Sequence, residues 1–306
     1  EILALANRPT YDLADVAKSS LESRTNRAVS FIYEPGSVFK IVTAAGALEE
    51  DIWKETDRIN CENGAYRVGG KILHDHQPHG ILTFRQVIEE SSNIGTSKIA
   101  QKLGGQNLYK YGQRFQFGRK TGIDLAGEVN GFFKHPRDWS KTSIAAIPMG
   151  QEVAVTAVQL AGAISAIANG GTYMRPFVVK YIKDNHEQII KTHEPTAVTQ
   201  VISPETAKRL TAILTGVVDE GTGRMAKIEG VPVAGKTGTA QKVVDGTYSH
   251  SQFYATFIGF APSDNPRLAA VVVVEEPRGT YFGGTVAAPV FKEVIEDSLK
   301  YLQTKQ

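Results

Sequence analysis

Apolar residues recur at helical spacing in "GSVFKIVTAAGALEE", from Val38 through Leu48, with small residues between them. "LTFRQVIEESSNIGTSKIAQKLGG" is helical on both sides of a polar break at Ser91–Ser92–Asn93 and stops on glycines, a C-terminal cap signal. "TAVQLAGAISAIANGG" predicts a buried helix halted at Asn169–Gly170. "SPETAKRLTAILTGVVDEGTG" opens with Ser203 as N-cap, Pro204 at the first helical position and Glu205 in the first turn. "FVVKYIKDNHEQIIK" reads as a hairpin turning at Asp184–Asn185, and the opening "EILALANRP" alternates like a strand. Beyond Gly235 the period changes: "TAQKVV", "FYATFIGFAP" and "LAAVVVVEEP" are strands separated by Asp-Gly and "PSDNPR" turns. Strands joined this tightly are antiparallel, because a parallel pair needs a crossover of about a dozen residues or more. A last helix runs from about Ala287 to Leu302. The pattern is α+β: helices, an antiparallel sheet, one further helix.

Composition changes this picture little. The 306 residues suffice for one large domain or two small ones, with 42% hydrophobic and 22% charged positions. A net charge of +2 is too balanced to suggest a nucleic-acid partner or a polybasic membrane patch. No run approaches the roughly 18 apolar residues of a membrane span. The chain starts without methionine and reads as a piece of a longer protein. The single cysteine, Cys61, excludes an internal disulfide or a cysteine-built metal cluster, and its setting in "DRINCENGAY" predicts an unremarked polar-loop residue.

Candidate chemistry centres on "GVPVAGKTGTAQ", where two motifs overlap. Gly230, Gly235, Lys236 and Thr237 satisfy the phosphate-cradling G-x-x-x-x-G-K-[ST]; Lys236, Thr237 and Gly238 spell K-T-G. A P-loop joins a buried parallel strand to a helix whose amides face phosphate. Here Pro232 precedes the lysine and a strand heading into a turn follows it, so a nucleotide site fits poorly. "GTGRMA", Gly221 to Ala226, follows a helix rather than a strand and is an equally weak dinucleotide signal. K-T-G needs companions. The chain contains one S-x-x-K, Ser37 and Lys40, whose i, i+3 spacing puts a base within reach of a hydroxyl on one helix face. S-x-N occurs twice, as Ser91–Asn93 at the helical break and as Ser263–Asn265 in a Pro-flanked turn. K-T-G also recurs, as Lys120–Thr121–Gly122 in a loop. Only Ser37/Lys40, Ser91/Asn93 and Lys236/Thr237/Gly238 combine order with suitable context. "HDHQPH", with His74, Asp75, His76 and His79, has the composition of a metal site but reads better as a polar loop before a helix, and no metal is expected.

Together with "YEPGSVFKIVTAAGALE", "SSNIGTSKIAQKLG", "FGRKTGIDLAGEVNG", "GQEVAVTAVQLAGAISAIANGG", "VAGKTGTAQK", "FIGFAPSDNPRLAAVVVV" and "FGGTVAAPVFKEV", these motifs cover nearly the whole chain. They resemble the transpeptidase domain of class B penicillin-binding proteins, of the septal, cell-division type. The resemblance implies a penicillin-binding protein/β-lactamase-like serine acyltransferase fold: an antiparallel sheet flanked by helices, with an all-α subdomain. It implies one domain over residues 1–306, with a pedestal domain and an N-terminal membrane anchor lying outside this sequence, on the extracytoplasmic face of the bacterial inner membrane. It also implies peptidoglycan stem peptides as substrates, β-lactams as covalent inhibitors, division-complex membrane proteins as partners, and no cofactor.

Carried over by motif, Ser37 is the nucleophile, Lys40 its base, Ser91 a proton relay and Asn93 a partner of Lys40 and of the substrate amide. Lys236 supplies positive field, Thr237 and Thr239 bind the substrate carboxylate, and Gly238 lies on the strand alongside it. The backbone amides of Ser37 and Thr239 form the oxyanion hole. A β-lactamase, a β-lactam sensor domain and, remotely, a nucleotide hydrolase are the alternatives. No Glu-x-x-x-Asn spacing follows Ser91–Asn93, where one β-lactamase class carries its water-activating loop; Glu22–Asn26 has that spacing but precedes Ser37.

Overall fold

The computed structural model describes residues 1–304. Its centre is helix α1, Lys40–Glu49, in which every residue from Lys40 to Leu48 is buried. A helix apolar all round is a core helix, and α1 is wrapped by others. A short strand pair, β1 (Ala65–Val68) and β2 (Lys71–His74), leads into α2, Phe84–Glu89, which opens with a Thr83–Gln86 capping box. Then come α3, Asn93–Leu103, and α4, Gly105–Arg114; α3 and α4 pack directly on α1. Helix α4 carries no marker beyond "LYKYGQRF", and the sequence pattern alone did not predict it.

The second layer is a three-stranded antiparallel sheet of β3 (Ala234–Val244), β4 (Thr247–Ala261) and β5 (Leu268–Glu275) in the order β3-β4-β5. Side chains alternate along β4. Phe257 and Ala261 join Ala287, Ala288 and Phe291 of α7 (Gly283–Gln303) in one cluster, whereas Tyr254, Ile258 and Phe260 join the main core. That core includes α5 (Ala157–Ala168) and α6 (Pro204–Asp219), which pack against the sheet from the other side. The arrangement is therefore helix, sheet, helices, with the all-helical layer around α1 beyond. The hairpin expected at Asp184–Asn185 forms, pairing Tyr181–Lys183 with Ile189–Thr192.

Two expectations differ from the structure. The N-terminal "EILALANRP" joins no strand ladder; Ile2 N–H donates to Phe177 O, Asn7 bonds Asn26 and Ala28 N, and Ile2 and Leu5 pack against the Val29, Ile123 and Val158 cluster instead. Cys61 does lie outside any helix or strand, but not at the surface. It is fully buried in the main core, and burial pushes its thiol up from the ordinary range. Its polar neighbours in sequence hide this, because Cys61 continues the inward alternation of the strand Arg58–Asn60, whose Ile59 is also buried, up to the 3-10 turn Glu62–Gly64.

Candidate active site

Ser37 lies on a single 3-10 turn, Gly36–Phe39, that runs straight into α1. Lys40 follows one turn later, so the i, i+3 spacing puts nucleophile and amine on one face. The Ser37 turn packs against β3, and this approach needs two glycines. Gly36 has φ +59°, and a Cβ there would stand 2.9 Å from Thr239 O; a Cβ on Gly238 would stand 2.8 Å from Pro35 O.

Opposite Ser37, the α2–α3 break supplies the second motif. Ser91 adopts a left-handed backbone, φ 58°, and both its carbonyl and its hydroxyl accept from Lys40 Nζ, at 2.5 and 3.1 Å. Asn93 Oδ1 accepts the third Lys40 bond at 2.9 Å, while Asn93 Nδ2 donates to His74 O at 3.0 Å. From β3, Lys236 Nζ donates to the same Ser91 Oγ at 3.0 Å and to Thr237 O at 3.2 Å. Both lysines are fully buried. Burial brings the Lys40 amine down to about 7, with Asp75 acting in the opposite sense. Burial, and then the Lys40 charge, holds Lys236 well below the usual lysine range. Two ammonium groups aimed at one hydroxyl repel, so the pair does not hold two protons comfortably at neutral pH.

On the other face of β3, Thr237 Oγ1 lies 2.7 Å from Thr222 Oγ1, and Thr239 Oγ1 accepts from Gly283 N at 3.1 Å. Thr222 belongs to the "GTG" that imitates a dinucleotide fingerprint; its place beside K-T-G is invisible in sequence, since 15 residues and a turn separate the two threonines. A stacked Phe253–Tyr281 pair and a tilted His76–Phe282 pair stand around this end of the sheet.

The duplicate motifs lie elsewhere. Thr121 is held in a loop by Glu128, which accepts from Thr121 N and Oγ1 and from Gly122 N. Ser263 Oγ accepts from Thr215 Oγ1 in the turn between β4 and β5. Gly235–Thr237 lies within strand β3, paired to Phe257–Gly259, with no helix start there that could cradle phosphate. In the His-rich segment, Asp75 and the His74 carbonyl face α3, and among the described residues no three His, Cys, Asp or Glu side chains converge as metal ligands.

A central buried helix headed by Ser-x-x-Lys, a Ser-x-Asn break and a Lys-Thr-Gly strand on this sheet define a penicillin-recognising domain. The chain belongs to the penicillin-binding protein transpeptidase domain family, whose description matches residues 1–296. It is 43% identical over 312 residues to stage V sporulation protein D of Bacillus subtilis, covering all of this chain and 48% of that protein. With the "Probable peptidoglycan D,D-transpeptidase PenA" of Neisseria gonorrhoeae it shares 32% identity over 305 residues, 99% of this chain and 50% of that protein. The crystal structure of penicillin-binding protein 3 from Mycobacterium tuberculosis in complex with aztreonam superposes with a TM-score of 0.87 at 31% identity, covering 96% of this chain and 67% of that one. The chain spans about half the length of these two curated relatives.

Proposed function

We propose that this domain is a peptidoglycan D,D-transpeptidase, cross-linking stem peptides through an acyl-enzyme on Ser37, and that β-lactams acylate the same serine. The observation that carries the reading is the meeting of two fully buried lysines, Lys40 and Lys236, at Ser91 Oγ beside the Ser37 turn. The substrate carboxylate docks on the hydroxyls of Thr237 and Thr239 along β3. Its negative charge favours a proton on Lys236, which leaves Lys40 as the neutral partner. Neutral Lys40 keeps its bonds to Ser91 O and Asn93 Oδ1 and turns its lone pair to a hydroxyl.

Ser37 Oγ then attacks the penultimate D-Ala carbonyl while Lys40 takes the hydroxyl proton. The oxyanion is held by the backbone N–H groups of Ser37 and Thr239, donors of a kind worth roughly 3 kcal/mol each. Collapse breaks the peptide bond, and Ser91 passes the Lys40 proton to the departing D-Ala amine. The Asn93 amide has one N–H beyond that given to His74, and it serves the substrate amide. An amine from a second stem peptide attacks the ester, gives up its proton by the reverse route and frees Ser37. No cofactor enters. The substrate lies outside the cytoplasmic membrane, so the reading puts the domain there. Retention by a membrane segment and contact with division proteins belong to the same proposal and rest on the resemblance; among the described residues no helix is long and apolar enough to cross a membrane.

The test is mass spectrometry after incubation with benzylpenicillin. One adduct on the peptide containing Ser37, absent in Ser37→Ala and persisting for many minutes to hours, is expected. Label on Ser91 or Ser263 sinks the assignment of the nucleophile, and loss of label within seconds with accumulating opened penicillin makes the protein a β-lactamase.

A further inference from the structure

We propose that Asp75 is a positioning residue for the Lys40–Ser91 pair, and that its carboxylate sets the lower pH limit at which Ser37 is acylated. This rests on the transpeptidase reading above. The His-rich segment after β2 otherwise has no part in that chemistry. Yet Asp75 Oδ2 accepts from Ser92 Oγ at 2.7 Å, Oδ1 accepts from Ile94 N at 2.9 Å, and the Asp75 N–H is itself tied to Gly64 O at 3.2 Å. The two side-chain bonds fall on the residues either side of Asn93. Ser92 in turn accepts from Gly95 N at 2.9 Å as N-cap of α3, so one carboxylate and one hydroxyl close the first turn of that helix. With the bond from Asn93 Nδ2 to His74 O, the whole Ser91–Ile94 segment is clamped onto residues 74 and 75. That clamp holds the strained Ser91 backbone and both acceptors that Ser91 offers to Lys40.

Asp75 also brings charge. Lys40 faces Lys236 from β3 and Asp75 from the segment after β2, while its direct partners Ser91 and Asn93 are neutral. Lys236 disfavours a proton on Lys40 and Asp75 favours one. Asp75 itself faces the Ser92 hydroxyl and the buried Cys61 thiol, with His74 and His76 beside it in the chain. The carboxylate thus opposes the burial that drives Lys40 toward neutrality, and removing its charge makes Lys40 a neutral base at lower pH.

The experiment measures the second-order rate of Ser37 acylation by a fluorescent penicillin from pH 5 to 9. Asp75→Asn keeps the shape and one acceptor and removes the charge. Its acidic limb is expected to move down by roughly half a pH unit or more. Ser92→Ala keeps the charge but removes the Ser92 bond to Asp75 and the cap on Gly95 N, weakening the clamp, so its rate is expected to fall several-fold with the limb in place. The double variant His74→Gln/His76→Gln, which replaces the two imidazoles flanking Asp75 in the chain, is included and is expected to keep the wild-type limb. Coincident limbs in wild type and Asp75→Asn, an upward shift, or a limb that moves with the histidines would overturn the proposal. Failure of the wild-type protein to be acylated at any pH would instead refute the transpeptidase reading.

Discussion

Replacing Lys236 and Lys120 by methionine separates the two K-T-G copies. Methionine keeps the length and volume of the buried Lys236 stem and deletes only the amine. What is lost is a donor to Ser91 Oγ at 3.0 Å and to Thr237 O at 3.2 Å, in a fully buried setting. A hydrogen bond involving a charged group contributes about 1.5–3 kcal/mol. At 1.36 kcal/mol per decade, losing one such bond in the transition state slows acylation by roughly ten- to 150-fold. Loss of the positive field on the substrate carboxylate adds to that. Lys120 sits on an exposed loop, where substitutions stay within about 0.5 kcal/mol, so its variant is expected to change the rate by less than about threefold. The assay is the second-order rate of penicillin acylation on both purified variants, with thermal melts alongside. Lys236→Met removes a costly buried amine and is expected to melt no lower than wild type, so a slow rate there is not a folding defect. Equal rates for the two variants would refute the placement of the site on β3.

The wild-type pH profile follows from Lys40. An amine brought down to about 7 acts as base only when neutral, so acylation rises with pH through that value and falls about tenfold per unit well below it; a flat rate between pH 5 and 8 would exclude Lys40 as the base. Gly36→Ala puts a Cβ 2.9 Å from Thr239 O on a backbone with φ +59°, which costs about 1–3 kcal/mol. Calorimetry is expected to show a melting temperature lower by roughly 2–8 °C, with acylation slowed as the Ser37 turn is pushed off β3; an unchanged melt would mean the turn relaxes freely.

Much of this protein is legible one-dimensionally because helices and hairpins have short periods. Ser37 and Lys40 are neighbours through the helical repeat alone, and the Asp-Gly and "PSDNPR" turns force β3, β4 and β5 to be antiparallel whatever packs on them. Order and local context were also enough to prefer Ser91–Asn93 and Lys236 over their duplicates, since a Pro-flanked turn and a loop following a helix are marked as such by their own residues. Other facts belong to tertiary structure. Ser91 and Lys236 are 145 residues apart and meet because α1 is buried between the helical layer and the sheet. The depressed Lys40 amine comes from that same burial, which no local pattern measures. Thr222 and Asp75 read as parts of a weak dinucleotide signal and a His-rich polar loop. Cys61 reads as loop, and α4 does not read at all. Each acquires its place from the face that its neighbours leave open, and that is decided by how whole elements pack, over distances along the chain that no sequence period spans.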